Sequence, residues 1–260
     1  LKRSPPLPEV TLSEHEGVRY LHLGTPWVQG AMRIARPRAI ELEYVQRMLA
    51  ALLWLPQDDL AQGRAVQLGL GAATLTRFTH AELGMDTTAI ELNPQVILAC
   101  RARMRLPADG SGLQVVCGDA GQWVARPPRG YAGSVRLLHV DLYDHEAAAP
   151  VLDDEAFYTR CRALLEPGGV MAVNLFGRQA SLARSAARIA GAFGAGQVWS
   201  LRATREGNTV VVAGREVAPP ERGELAARAA TIEARFGKLG LPARKWLRMV
   251  RPWPAEPVPG

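Results

Sequence analysis

The sequence predicts an α/β fold: a doubly wound, mostly parallel seven-stranded sheet with a small N-terminal β-hairpin unit. Three observations predict it. From Arg64 onward, short apolar runs at 64–69, 86–91, 113–117, 134–142 and 169–176 alternate with stretches of helical pattern, as expected for parallel strands joined by crossover helices. The first run ends in Leu68-Gly69-Leu70-Gly71-Ala72-Ala73-Thr74, a glycine turn that opens a helix. Residues 197–203 and 208–214 then read as two adjacent strands joined by Thr204-Arg205-Glu206-Gly207. Such a hairpin finishes a parallel sheet and makes it mixed.

The elements follow in order. Residues 1–9 are proline-rich and expected to be poorly ordered. Arg19-Tyr20-Leu21-His22-Leu23 and Trp27-Val28-Gln29-Gly30-Ala31-Met32, separated by Gly24-Thr25-Pro26, give the hairpin signal. Leu42, Val45, Leu49, Leu52 and Leu53 recur at helical spacing over 41–55. Residues 74–83 predict the helix after the glycine turn, and Asn93-Pro94 starts another. Glu166-Pro167-Gly168-Gly169 is a stop-and-turn signal before the strand Val170-Met171-Ala172-Val173-Asn174-Leu175. Helices are expected over 181–193 and 221–237. The domain boundaries expected are 1–9, a hairpin unit with its linking helix over 10–55, a nucleoside-binding α/β domain over 56–216, and a C-terminal helix and basic tail over 217–260.

Composition narrows the class. With 260 residues the chain can bury a full α/β core plus an appendage. Hydrophobic content of 48% and charged content of 22% are those of a soluble globular protein and exclude a disordered one. A net charge of +6 fits an anionic or nucleotide ligand, although a solvated basic face is the commoner explanation. A cationic substrate would need local acids. Cys100, Cys117 and Cys161 are far apart and fall in predicted helix or strand, so they read as reduced, buried small apolar residues. The five histidines form no HxxxH or HExxH pattern, and no metal is expected. No apolar run is long enough to span a bilayer, so no membrane partner is expected and the cytoplasm is the expected location. Arg244, Lys245, Trp246, Arg248, Arg251 and Trp253 interleave charge with tryptophan. Nucleic-acid binding is not expected from so short a tail; an interface or an amphipathic cover over the core is.

Four pieces carry the functional signal, each just after an apolar run. Gly69 and Gly71 let a ligand approach the backbone at a helix start, although such turns also contain glycine for packing alone. Glu91 ends the second strand about twenty residues later, the spacing at which a carboxylate can accept both hydroxyls of a ribose; a solvated strand-end acid is the alternative. Gly118-Asp119-Ala120 ends the third strand. Asp119 and the helix start at Ala120 suit the adenine amino group, and Asp119 can also cap that helix. Asp141 and Asp144 close the fourth strand, with Tyr143 between them. A carboxylate pair there can hold a cationic amine and take up its proton; the alternative is a strand-end acid plus a helix cap.

The order of these pieces resembles the class I S-adenosylmethionine-dependent methyltransferase fold, a Rossmann-like fold. More narrowly it resembles the spermidine synthase (polyamine aminopropyltransferase) family, from about Tyr20 to Gly214. Glu155-Ala156-Phe157-Tyr158 and Leu164-Leu165-Glu166-Pro167-Gly168-Gly169-Val170 are similar to that family too. The resemblance implies Gln29 at the donor end of the site, Glu91 on ribose and Asp119 on adenine. It implies Asp141 as the catalytic acid, Asp144 as the amine anchor and Tyr143 as a pocket wall. It implies a small-molecule amine acceptor, decarboxylated S-adenosylmethionine or S-adenosylmethionine as group donor, and a homodimer. Three places depart from the family pattern. Ala72 stands where a donor-contacting aspartate is expected, Tyr44 is shifted by one place with Arg47 standing where that helix's acid is expected, and His145-Glu146-Ala147-Ala148-Ala149-Pro150 replaces a proline-glycine loop. The expected activity is aminopropyl transfer. Methyl transfer, or nucleoside binding without turnover, are the alternatives.

Overall fold

The structure is a computed structural model describing residues 7–142, 152–177 and 179–253. Tyr143, Asp144 and the loop at 145–150 lie outside the described residues, as does the Pro-rich start at 1–6.

The N-terminal unit is a three-stranded antiparallel sheet, β1 (Val10–His15), β2 (Val18–Leu23) and β3 (Val28–Arg33), in that order. The expected hairpin is β2–β3. β1 is an addition, joined to β2 by Glu16 and Gly17, both at positive φ (49° and 74°), which is the twist a two-residue hairpin turn needs. β1 is almost wholly exposed, so it lacks the alternation that would announce a strand. Leu21 and Met32 on the other two strands are buried against Leu70, Ala72 and Val96.

α1 (Glu43–Met48) follows and tightens into a 3-10 turn over Leu49–Trp54 in which every residue is buried. The large sheet comprises β4 (Arg64–Leu68), β5 (Asp86–Glu91), β6 (Leu113–Cys117), β7 (Val135–Val140), β8 (Leu165–Phe176), β9 (Val198–Leu201), β10 (Asn208–Gly214) and β11 (Val250–Pro252). Its order is β11-β9-β10-β8-β7-β4-β5-β6. The β4–β8 pairs are parallel, while β10 pairs antiparallel with β8 and β9. Among the described residues the sheet thus has eight strands rather than seven: the basic tail supplies β11, which pairs with β9. Trp246 of the tail is buried in the core, in keeping with an amphipathic cover.

Burial alternates along the central strands, as side chains of successive residues point to opposite faces. Leu137, Val170, Ala172, Val210 and Val212 pack on one face with α1 and α7 (Arg222–Phe236). Leu138, Val140, Met171, Val173 and Val211 pack on the other with α4 (Ala120–Ala125), α5 (Glu155–Leu164) and α6 (Gln179–Phe193). Two expectations need correction. Cys117 is exposed, not buried, because it ends β6, the edge strand. The Pro167-Gly168 turn also does not precede β8 but lies within it. Pairing jumps from Val135↔Leu165 to Leu137↔Val170, with Gly168 at φ 83° in the irregularity. Such a bulge accommodates a proline that cannot donate to the ladder.

From β4 the chain winds outward to β5 and β6; from β7 it winds the other way, to β8. The loops leaving β4 and β7 therefore diverge, and a crevice opens at the C-terminal ends of these neighbouring strands.

Candidate active site

A cavity of about 590 Å³ fills that crevice. Gly69 sits at its floor with φ +86°, and a Cβ there would lie 2.1 Å from the carbonyl oxygen of Asp141. Only glycine fits, because the first residue beyond β7 crosses directly over the loop, and the Asp141 N–H donates to the Leu68 carbonyl at 2.9 Å. The next contact is equally close. A Cβ on Gly30 of β3 would meet both the Cβ and the nitrogen of Ala72 at 2.5 Å, so the N-terminal sheet is seated on the glycine loop and forms the cavity's second wall.

The structure brings together Gln29, Gly69, Gly71, Glu91, Asp119, Ala120 and Asp141 around one cavity. The Glu91 carboxylate accepts from the Leu70 N–H (2.9 Å) and the Asn93 N–H (2.8 Å). It ties the glycine loop to the end of β5 and keeps lone pairs for a ligand on both oxygens. Burial raises its pKa, and the Asn93 and Leu70 N–H groups work against that rise. Asp119 Oδ1 accepts from the Gln122 N–H at 2.7 Å and caps α4, so capping and lining coexist. The Gln29 Nε2 is buried without a hydrogen-bond partner among the described residues. A buried donor is costly when unpaired, and one on a cavity wall is suited to a ligand acceptor.

Asp141 occupies the other side. Its Oδ1 accepts from Asn174 Nδ2 at 2.9 Å, and the Tyr44 hydroxyl also hydrogen-bonds the carboxylate. Burial raises its pKa, opposed by the Asn174 and Tyr44 donors. A carboxylate shifted upward in this way is a better proton acceptor than an ordinary one and can hold an ammonium. Tyr44, expected one place out of position, therefore does reach the site. Arg47 does not: its buried guanidinium turns to Glu43 (2.6 Å) and the Arg202 carbonyl. Ala72 is buried under Gly30 and does not line the cavity.

Sequence reasoning missed Asn174, Asn208 and Glu206, which line the cavity beside Asp141. One signal was available for Asn174, a lone polar residue inside the otherwise apolar run of 170–176. Among the described residues no group of His, Cys, Asp or Glu could hold a metal ion, and no helix is long and apolar enough to cross a membrane.

No family model matches the chain. A polyamine aminopropyltransferase of Chromobacterium violaceum is 32% identical over 233 residues, covering 89% of this chain and 86% of the relative. Among solved structures, a probable spermidine synthase from Corynebacterium glutamicum superposes with a TM-score of 0.72 at 17% identity, covering 95% of this chain and 93% of that one. Human methyltransferase-like protein 13, in complex with SAH, superposes with a TM-score of 0.64 at 18% identity, covering 83% and 96%. At those identities the two structures speak for the fold.

Proposed function

The chain belongs to the polyamine aminopropyltransferase family, and on that premise we propose that it moves an aminopropyl group from decarboxylated S-adenosylmethionine to an amine acceptor. One observation carries the reading to this chain's own residues: Asp141 shares a single cavity with Glu91 and Asp119, at the topological switch point of the sheet. Glu91 takes the ribose diol, Asp119 with the α4 start takes adenine, and Gln29 donates its free amide hydrogens to the donor. Gly69 and Gly71 let the backbone close against it. The acceptor nitrogen bonds to the aminopropyl carbon beside the sulfonium, and the carbon–sulfur bond breaks with its electron pair left on sulfur. Asp141 receives the proton that the acceptor nitrogen gives up. Positioning and this carboxylate are the enzyme's contribution.

Asp144 as amine anchor and Tyr143 as pocket wall complete the proposal from outside the described residues. The exposed Leu12 of β1 and Ile34 just past β3 support a homodimer, and the biosynthetic character of the family supports a cytoplasmic location. Methyl transfer from intact S-adenosylmethionine is the second reading. It is favoured by the sequence at position 72, where Ala72 replaces the acid that the family pattern sets toward the donor.

The test is direct. The protein is incubated with either donor and a panel of mono- and diamines, and products are weighed by mass spectrometry. An aminopropyl mass gain on an amine, with release of the thioether nucleoside, is expected from the decarboxylated donor alone. A methyl gain from the intact donor would replace this reading with the second one.

A further inference from the structure

We propose that Asn174 and Asn208 are positioning residues of the site: their side-chain amides form a directed chain that holds Asp141 Oδ1 and, together with the Tyr44 hydroxyl, fixes the carboxylate toward the acceptor amine. The inference rests on the reading of Asp141 as the proton acceptor.

The chain crosses three adjacent strands. Asn208, the first residue of β10, donates from Nδ2 to the Asn174 Oδ1 at 3.1 Å, and Asn174 of β8 donates from Nδ2 to the Asp141 Oδ1 at 2.9 Å. Asn208 is itself fixed by the hairpin turn: its N–H donates to the Thr204 hydroxyl at 3.2 Å, and its carbonyl accepts from the Thr204 N–H at 2.8 Å. Asn174 is only 4% exposed, between Val173 and Leu175, where an amide is costly unless both its ends are used.

An amide can present either its oxygen or its nitrogen. Turning the Asn174 amide over would set its oxygen against the Asp141 carboxylate and its NH₂ against that of Asn208. Both contacts oppose the flip, so the chain has one direction. Its effect is to occupy one carboxylate oxygen with a neutral donor, which favours the ionised form that can take a proton. The other titratable groups lining this cavity are Tyr44, Glu91, Asp119 and Glu206, and His139 precedes Asp141 on β7. None of them is altered by the substitutions below.

The test uses Asn174→Leu, Asn208→Leu and Asn208→Asp in the full chain. Two readouts are taken: the titration of the Asp141 carboxyl carbon by ¹³C NMR, assigned through Asp141→Asn, and the pH profile of kcat. Asn174→Leu is expected to move the Asp141 titration up by about one pH unit, the scale of one hydrogen bond to a charged group. The acidic limb of kcat moves with it, while affinity for a nucleoside analogue stays unchanged. Asn208→Asp, which accepts where Asn208 donates, turns the Asn174 amide over and is expected to lower kcat about tenfold more than Asn208→Leu. An unmoved Asp141 titration in Asn174→Leu overturns the proposal, as does equal loss in the two Asn208 variants. If Asn174→Leu does not fold, the two Asn208 variants decide on the same readouts. If the wild-type protein transfers nothing to any amine, the transfer reading fails, and the NMR titration still tests the chain.

Discussion

The glycine-loop side of the cavity is furnished by successive strand–helix turns, each delivering its residue from the strand just completed: Gly69 and Gly71 after β4, Glu91 after β5, Asp119 after β6. The Asp141 side is gathered from far apart. Tyr44 comes from α1, Asn174 from the end of β8, and Asn208 and Glu206 from the β9–β10 hairpin. Asn174 bonds a partner 33 residues away on one side and 34 on the other, whereas Glu91 bonds the Asn93 N–H two residues on. The first side is a repeated local solution, one lining residue or pair per strand–helix turn, to which the proposed function gives the nucleoside. The second depends on the whole sheet being in register, so it is the side where specificity can drift while the nucleoside site stays.

The sharpest way to break the comparison is at Asp141. Asp141→Asn keeps the acceptor oxygen for Asn174 but cannot take a proton. Turnover is expected to fall about a thousandfold, with the dissociation constant of a nucleoside analogue unchanged in calorimetry. Retained turnover removes Asp141 from the chemistry. The same variant should melt at a higher temperature at neutral pH. A pKa raised above the ordinary 3.8 means that the folded protein holds the proton more tightly than the unfolded chain does. The ionised carboxylate therefore costs stability as pH rises past that value, and the amide removes the cost. The gain should shrink as pH falls toward 3.8 and be gone below it. Equal melting temperatures at every pH would contradict the upward shift.

Glu91→Ala acts on the opposite side. It should weaken the nucleoside analogue by about 1–3 kcal/mol, the scale of charged hydrogen bonds, with kcat at saturating donor little changed. An unaltered dissociation constant refutes the ribose assignment. Asp119→Ala should weaken adenosine analogues about fivefold more than inosine analogues, since inosine lacks the amino donor; equal losses would leave Asp119 as a helix cap only. The smallest effect is expected at Glu206, which is exposed at the cavity rim. Glu206→Gln should raise the apparent KM for a diamine about two- to threefold and leave a monoamine unaffected. A shift in donor KM instead would show that the two sides are not separable.

The same contrast explains what was legible in the sequence. Strand–turn–helix units bring neighbouring residues to one edge of the sheet, so the place of Gly69, Gly71, Glu91 and Asp119 around the cavity could be read from spacing, and the parallel order of the sheet with it. β11 was not legible. Its three residues, Val250–Pro252, include a proline and no alternation, and only the open edge of β9 makes them a strand. Tyr44 looked misplaced when judged against the family pattern, yet from the first turn of α1 its hydroxyl reaches the Asp141 carboxylate, a contact that only the fold reveals. Arg47 looked like a lost acid. Its charge is satisfied by Glu43 one turn back and by a carbonyl 155 residues away, and the second of these no local pattern encodes. Asn208 is polar in a hairpin, where polar residues are ordinary, and becomes informative only once β10 lies beside β8.

The seating of Gly30 on Ala72 has a consequence for how this site can change by mutation. With 2.5 Å between Ala72 and any Cβ placed on Gly30, added bulk at either position has to displace β3 or the nucleoside loop. An acid acquired at position 72 would have to find room under the strand that carries Gln29, and a side chain acquired at position 30 would press on the loop that meets the donor. Neither step is neutral alone, and each alters the background in which the other is judged. The two positions are therefore coupled through packing: a substitution at one is tolerated or not according to the room the other leaves.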